Sequence, residues 1–222
     1  MAKLVWDVAS ERLYENGVKN GVLYYNVGDD KPSNPEDVYK NGVVWNGLIS
    51  VTESPSGAES TPLYADDMKY LNLVSPEEFG ATIEAYTYPK EFAACNGESE
   101  YITGVTIGQQ TRKTFGLCYR TSIGNAENDA LGYKLHLVYG CLAAPSEKAY
   151  SSVNDSPEAT TFSWEISTTP VTIPGFKPTA MVVIDSTKVD PAKMKKLEDY
   201  LYGTGTTNPK MPSIAYIATL MA

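Results

Sequence analysis

The sequence predicts a mainly β fold over residues 1–222 as one domain, with two packed antiparallel sheets forming a sandwich or barrel and one flanking α-helix. Turn signals rich in Gly, Pro, Asn and Asp recur at short intervals, and strand-length runs lie between them. Several runs alternate apolar and polar residues with the period of a pleated strand. Only one segment carries clear helix signals, which favours packed sheets over a helical fold.

The first predicted elements surround an extended loop. Residues 22–27 form the first strand-like run, and the loop near residues 28–37 follows it. Asn41-Gly42 then stands between two short apolar runs. Because Asn-Gly readily adopts the positive φ angles of a type I′ turn, this pair predicts a tight hairpin.

The next segment contains a second hairpin signal. A turn cluster at residues 52–60 precedes two apolar runs, and Asp66-Asp67 joins them as the predicted hairpin turn. Residues 79–88 alternate and predict a strand with one apolar face, and a short helix is predicted at residues 89–94. The remaining predicted strands cover residues 103–107, 114–121, 133–142, 162–168 and 180–185.

The predicted strand at residues 162–168 raises a question about its polar side. Residues 155–158 before it suggest a helix start or a turn. Phe162, Trp164 and Ile166 then alternate with Ser163, Glu165 and Ser167. The apolar half of this strand faces a core, whereas the pattern alone does not identify what the polar half faces.

The α-helix is predicted at residues 191–202. Asp190 is a suitable N-cap, Pro191 suits the first helical position, and Gly203 follows the end. An apolar stripe at helical spacing, Met194, Leu197 and Leu201, predicts the buried face. The segment near residues 204–222 is either a docked last strand or an arm that reaches a neighbouring molecule.

The charge of the chain is unevenly distributed. The formal net charge is −9, and residues 41–111 carry ten acids against two bases. A solvated acidic surface is the simplest interpretation, and the alternative is a surface that does not retain a polyanion, because nucleic-acid binders concentrate Lys and Arg. Neither a secretion signal nor a run of about twenty apolar residues is present, so we expect synthesis in a cytoplasm and no membrane partner.

The three cysteines do not form a recognisable motif. Cys95, Cys118 and Cys141 are odd in number and lack the paired spacing and the neighbouring histidines of a zinc site. We therefore predict buried free thiols in a reducing compartment.

The sequence gives no strong signal for catalysis. His136 is the only histidine, and on its predicted strand it points to the face opposite that of its neighbours Leu135 and Leu137. Because it has no carboxylate at motif spacing, we interpret it as structural. The carboxylate pairs Asp66-Asp67 and Glu77-Glu78 could serve glycoside chemistry, but both lie in predicted turns, where acids are common. We expect a protein that is not an enzyme and has no metal or cofactor.

Nucleic-acid binding is also weakly indicated. Arg112, Lys113 and Arg120 flank Phe115 and Tyr119, a mixture that a single-strand binder can use. In an acidic chain, these bases are better interpreted as partners of acids, within the chain or across a subunit boundary.

Several of these segments together resemble the major tail proteins, or tail tube proteins, of long-tailed, non-contractile bacteriophages of Gram-positive hosts. The resemblance rests on residues 42–73 (GVVWNGLISVTESPSGAESTPLYADDMKYLNL), 77–97, 108–121, 133–171 and 178–204, which cover most of the chain in the order of the family. The loop around residues 28–40 is longer than in some members, which leaves its role open.

The resemblance implies a structural virion protein. Members of the family form hexameric rings that stack into the tail tube, and inner strands of six copies line the bore. The implied partners are further copies of the chain, the tape-measure protein, the tail terminator and the distal tail or baseplate proteins. Duplex DNA is implied to pass through the bore without specific binding. Assembly would take place in the cytoplasm of the bacterial host and the product would be the virion tail.

The resemblance and the acidic segment together suggest which side chains face the bore. The candidates are the carboxylates Glu84, Asp66, Asp67, Glu77 and Glu78. An acidic wall would guide DNA without holding it, because the repulsion fades within about 8 Å at physiological salt.

Two other functions are compatible with the same residues. A β-sandwich that binds a carbohydrate or a receptor on a virion would display an aromatic platform, for which Trp6, Trp45 and Trp164 are the candidates; Trp45 and Trp164 alternate with polar residues and are expected to face the core. A carboxylate-based hydrolase would require a cleft that brings two distant acids together.

Overall fold

The computed structural model describes residues 4–25, 39–152 and 159–221, which form a mainly β fold. The strands are β1 (Tyr14–Tyr25), β2 (Asn41–Val44), β3 (Leu48–Glu53), β4 (Ser56–Gly57), β5 (Ser60–Ala65), β6 (Met68–Val74), β7 (Glu77–Glu78), β8 (Gly80–Ala85), β9 (Ser99–Ile102), β10 (Val105–Ile107), β11 (Phe115–Gly124), β12 (Gly132–Ala143), β13 (Phe162–Thr168) and β14 (Met181–Asp185). The helices are two 3-10 segments (Ala9–Glu11 and Lys90–Ala94), α1 (Pro191–Tyr202) and α2 (Ile214–Met221).

One antiparallel sheet organises the molecule. Its strand order is β2-β1-β11-β12-β13-β8-β3, and β14 also pairs with β12. Three two-stranded sheets, β4–β7, β5–β6 and β9–β10, are separate from it. The main sheet therefore forms the body, and the small sheets are additions to it.

The main sheet curls around a first core. Leu23 of β1, Ile83 of β8 and Trp164 of β13 belong to one buried cluster although their strands lie far apart in the sheet order. Phe92, from the 3-10 helix at Lys90–Ala94, packs edge-on against Trp164 within this core. The two halves of the sheet thus pack face to face, which confirms the predicted antiparallel sandwich or barrel.

The helices cover the other face of part of the sheet. Side chains of β1, β11 and β12 that point away from the first core form a second buried cluster with α1 and α2. Met194, Leu197 and Leu201 form the buried stripe of α1, and Asp190 accepts hydrogen bonds from the first turn, as predicted. The flanking helix at residues 191–202 is therefore confirmed.

Most strand predictions from local pattern agree with the structure, whereas the predicted strand at residues 103–107 begins in the turn between β9 and β10. Strand β8 buries Ala81, Ile83 and Ala85 on one face and turns the intervening residues outward. The predicted turn at Asp66-Asp67 joins β5 to β6, and both residues have positive φ angles. The predicted short helix near residues 89–94 is a 3-10 helix.

The predicted hairpin at Asn41-Gly42 is wrong. Both residues lie within β2 and pair with Tyr25 and Tyr24 of β1. Gly42 is needed there for space, because a Cβ would come within 2.9 Å of Pro209 and of the Tyr24 ring. The glycine thus allows the C-terminal segment to pack closely against β2. Because this requirement comes from a distant segment, the Asn-Gly pair resembles a turn signal in the sequence.

The C-terminal segment is not a strand. Residues Ile214–Met221 form helix α2, which packs with α1 over the second core, and Ile217 is buried there. The amide of Gly42 donates to the carbonyl of Pro209, so the segment before α2 is also attached to β2. The predicted loop near residues 28–37 and the helix start or turn at residues 155–158 lie outside the described residues.

Candidate functional site: assembly surfaces

The hairpin of β5 and β6 (residues 60–74, the β5–β6 hairpin) is the most exposed apolar element of the described chain. Every residue of both strands is exposed. Tyr64 and Tyr70 keep 70% and 74% of their surface accessible to solvent. A two-stranded hairpin alone is marginally stable in water, and a large exposed apolar patch is typical of an interaction site.

One face of the β5–β6 hairpin is rich in leucine. Leu63 lies directly opposite Leu71, and Leu73 lies opposite Thr61. Residues opposite each other in an antiparallel pair share a face, and so do residues two apart on one strand. Leu63, Leu71 and Leu73 therefore form a continuous apolar face, and none of them belongs to either core of the chain.

Two smaller segments repeat this pattern. The hairpin of β9 and β10 (residues 99–107, the β9–β10 hairpin) exposes Tyr101, Ile102, Val105 and Ile107. Near the N-terminus, Trp6 retains 75% of its surface. Exposed apolar side chains are thus concentrated on segments that project from the body.

The outward side of β3, β8 and β13 (the polar face) has a different character. Ser50 and Ser163 flank Glu84, and Thr52 and Glu165 flank Thr82 in the next row. Each of these side chains is a hydroxyl or a carboxylate. The two described α-helices pack on β1, β11 and β12 instead, so the polar half of the 162–168 strand belongs to a sheet face that neither helix covers.

The structure separates the predicted bore residues. Glu84 lies on the polar face and accepts a hydrogen bond from Ser50 at 2.9 Å. Asp66 and Asp67 occupy the tip of the β5–β6 hairpin. Glu77 and Glu78 form β7 near its base, paired with β4. These five carboxylates lie on three different elements, and Glu165, which was not among the predicted bore residues, is the acid that shares the polar face with Glu84.

Unpaired strand edges add to the possible contact surfaces. In the main sheet, β3 pairs only with β8 and is a terminal strand, and β14 pairs only with β12. Such edges present backbone donors and acceptors to an added strand.

A polar cluster surrounds His136 where β1 and β3 approach without pairing. His136 is 6% exposed, and its Nδ1 lies 3.6 Å from Oε1 of Glu53 on β3. Its Nε2 lies 2.9 Å from Oγ1 of Thr121 and 3.4 Å from Oε1 of Glu15 on β1. The ring of Tyr119 stacks on the imidazole at 4.5 Å, and its hydroxyl donates to Glu53.

The hydrogen bonds determine the tautomer of His136. The Thr121 hydroxyl donates its single proton to Glu15, so it can only accept from Nε2–H of the histidine. Nδ1 is then unprotonated, and it has no hydrogen-bond partner. Burial is the largest effect and lowers the pKa of His136, while Glu53 and Glu15 oppose that shift. His136 is therefore neutral and structural, and the cluster joins side chains of β1, β3, β11 and β12.

A wide groove lies beside the base of the β5–β6 hairpin. It encloses about 1200 Å³, and its lining includes Ile173, Phe176 and Val183 together with Glu53 and Glu77. The lining is largely apolar, and Glu53 is already bound by Tyr119. No metal-binding group of three or more His, Cys, Asp or Glu occurs among the described residues.

The remaining candidates take structural positions. Phe115 and Tyr119 are buried in the first core, so they offer no stacking platform beside the bases. Arg120 stacks over the Tyr133 ring and pairs with Glu198 at 3.9 Å, which confirms that this base has an acidic partner. The predicted burial of Trp45 and Trp164 is confirmed, as is that of the three free cysteines.

Comparisons with known proteins do not identify a family for this chain. No family model matches it, and the search of curated proteins gave no significant match. None of the helices in the described ranges is long and apolar enough to cross a membrane.

Proposed function

We propose that the chain is a structural subunit that self-assembles into stacked hexameric rings and forms the tail tube of a long-tailed bacteriophage. The observation that carries this proposal is the uncovered leucine face of the β5–β6 hairpin. The family resemblance supplies the ring and the tube. The chain would then belong to the virion tail, with the tape-measure, terminator and distal tail proteins as further partners.

Burial of the hairpin by another copy accounts for its composition. Removing apolar surface from water contributes about 25 cal/mol per Å². The leucine face of the hairpin is distinct from the free edges of the main sheet, so a contact between this face and a different part of a second copy is head-to-tail rather than two-fold symmetric. Repeated head-to-tail contacts produce rings or filaments, as a tube requires.

The polar face is suited to the bore of such a tube. Its apolar reverse side packs in the first core, while its hydroxyl groups and the carboxylates of Glu84 and Glu165 remain available to water. Duplex DNA carries about one charge per 1.7 Å of axis and binds strongly to Lys and Arg. A wall with hydroxyls and carboxylates would let DNA pass without retaining it.

Negative-stain electron microscopy of the purified protein over a range of concentrations tests this proposal. We expect six-fold rings or hollow tubes, formed alone or on added tail-tip complexes as initiators. Replacing Leu63 and Leu71 by Glu should abolish them while the monomer stays folded. The matched control replaces two exposed side chains of α1, Lys195 and Lys196, by Glu and should still assemble.

Other results would contradict the proposal. A protein that stays monomeric with initiators present does not act as a tube subunit. If that monomer bound glycans, the virion binding module would be the better function. Tubes that form normally from the Leu63→Glu, Leu71→Glu variant would show that the hairpin is not the assembly surface.

A further inference from the structure

The two apolar hairpins leave opposite ends of strand β8. The β5–β6 hairpin and the short β4–β7 pair precede Gly80, at which β8 begins. The 3-10 helix at Lys90–Ala94 and the β9–β10 hairpin follow Ala85, at which β8 ends. Because a strand separates its ends, one subunit presents apolar projections in two places that are far apart in the fold.

The two ends also differ in charge. Residues 56–78, which include the β5–β6 hairpin, contain five acids and one base, and Asp66 and Asp67 at the tip make no ion pair with a described residue. At the other end, Lys90 and Lys113 line a small pocket of about 330 Å³ and also lack an ion-pair partner in the described ranges.

The acids of that pocket leave the two lysines available. The pocket is lined also by Glu91, Glu98 and Glu100. Lys148 pairs with Glu98 at 2.7 Å, and Glu100 accepts the amide of Gly104 within its own hairpin. Glu91 and Glu100 keep their negative charge, but neither lies within ion-pair distance of Lys90 or Lys113. This end therefore offers two lysines that are unpaired within the described residues, whereas the hairpin end is strongly acidic.

We propose that the β5–β6 hairpin of one copy docks on the β9–β10 end of a second copy, with Asp66 and Asp67 at Lys90 and Lys113. This inference rests on the proposed function and names the two halves of the contact between copies. The leucine face of the hairpin meets the exposed apolar side chains of the β9–β10 hairpin. The hairpin is long enough to reach a neighbour, because six residues of strand span roughly 20 Å.

Apolar burial and charge have different roles in this contact. The leucine face supplies most of the favourable free energy, because exposed ion pairs contribute little by themselves. The charges select the orientation. A two-fold contact between two hairpin tips would bring four aspartates together, whereas the head-to-tail contact pairs each tip with lysines.

Charge reversal tests the pairing with two variants of the full chain. The tip variant carries Asp66→Lys and Asp67→Lys, and the acceptor variant carries Lys90→Glu and Lys113→Glu. All four positions are exposed and lie outside both cores, so each monomer should keep its circular dichroism spectrum. Lys at the positive φ angles of Asp66 and Asp67 strains the turn equally in the tip variant and in a chain with all four substitutions, so recovery of assembly by the latter reports on charge alone. Each variant alone should need a protein concentration at least about tenfold higher than the parent to form tubes, because like charges now meet.

Mixing the two variants restores complementary pairs. A Lys tip then meets a Glu acceptor, and an Asp tip meets a Lys acceptor, so the equimolar mixture should assemble near the parental concentration. A chain with all four substitutions should do the same. Sedimentation and electron microscopy measure the assembled fraction.

The outcomes distinguish this pairing from the proposed function. If the parent forms tubes and both variants assemble like it, the pairing is wrong and the tube function stands. If both variants fail to assemble, and neither their mixture nor the chain with all four substitutions forms tubes, the pairing is also wrong, because restoring opposite charges does not restore assembly. If the folded parent forms no tubes even on initiators, the function fails and the pairing fails with it.

Discussion

At the scale of single residues, His136 connects strands that do not pair with each other. Burial lowers its pKa below the ordinary value of 6.5. The unfolded chain then binds more protons than the folded chain just below that pH, so stability is present above it and is lost as the pH falls through it. We expect the free energy of unfolding in urea to decrease between about pH 7.5 and about pH 5.5. His136→Gln should reduce this dependence.

The cluster around His136 also predicts a spectroscopic result. As the chain has one histidine, its imidazole nitrogens give unambiguous NMR signals. The neutral form should be the Nε2–H tautomer, because Thr121 can only accept from Nε2. Glu53→Gln removes a negative charge beside Nδ1 and should lower the pKa of His136 further. A neutral Nδ1–H tautomer, or a higher pKa in the Glu53→Gln variant, would contradict this arrangement.

The cysteines allow a simple reactivity test. Burial raises the pKa of Cys95 and of Cys118 to about 12 and raises that of Cys141 as well. Since the thiolate is the reactive form, none of the three should react with Ellman's reagent at pH 8 in the native protein. All three should react in denaturant. Rapid labelling of one thiol in the folded protein would show that its site opens.

At the scale of elements, α1 is the one with the clearest local signals. Asp190 accepts from the amides of Ala192 and Lys193, so Asp190→Ala should lower the free energy of unfolding by about 1 kcal/mol. Lys196→Ala on the exposed side of the same helix is the matched control and should change it by less than about 0.5 kcal/mol. Equal effects of the two substitutions in urea unfolding would mean that the cap does not stabilise α1.

The contrast between correct and wrong element predictions has a physical cause. The α1 cap and the Asp66-Asp67 turn are local, because the residues that satisfy the backbone lie within four positions of each other. Gly42 is different, since Pro209 determines its role from far along the chain. Helix α2 was missed for the same reason: its apolar sequence is compatible with a strand, and packing on α1 makes it a helix.

The candidate surfaces were only partly predictable. The alternation in β13 revealed that a polar face exists, whereas the pairing of Glu165 with Thr82 beside Glu84 requires the register of three strands. The sequence predicts a turn at Asp66 and Asp67, but whether the apolar strands beside this turn pack on the body depends on the whole fold. The neighbours of His136 come from three other strands and have no common sequence spacing.

At the scale of the whole molecule, the uncovered surfaces separate into two chemical kinds. Apolar side chains are exposed on the projecting hairpins, while the polar face of β3, β8 and β13 carries hydroxyls and carboxylates. An assembly subunit needs both kinds, because the first is removed from water between copies and the second stays in water. The first core contains no side chain of these hairpins, so it is closed within one chain although the hairpins are exposed.

The polar face yields a prediction about DNA. Glu84→Lys with Glu165→Lys should leave tube formation unchanged, because neither side chain belongs to a core or to the hairpins. Tubes of the variant should retain short labelled duplex DNA in sedimentation, and the retention should fall steeply with salt as counterions compete. Parental tubes should retain none.

A matched control distinguishes the bore from the outer surface. Glu127→Lys with Asp129→Lys makes the same change of charge in an exposed turn between β11 and β12, away from the polar face. If the bore is lined by the polar face, DNA held by the Glu84→Lys, Glu165→Lys tubes should be protected from added nuclease, whereas DNA bound by control tubes should be digested. Equal digestion in both would place the polar face on the outside of the tube, and a different sheet face would have to meet the DNA.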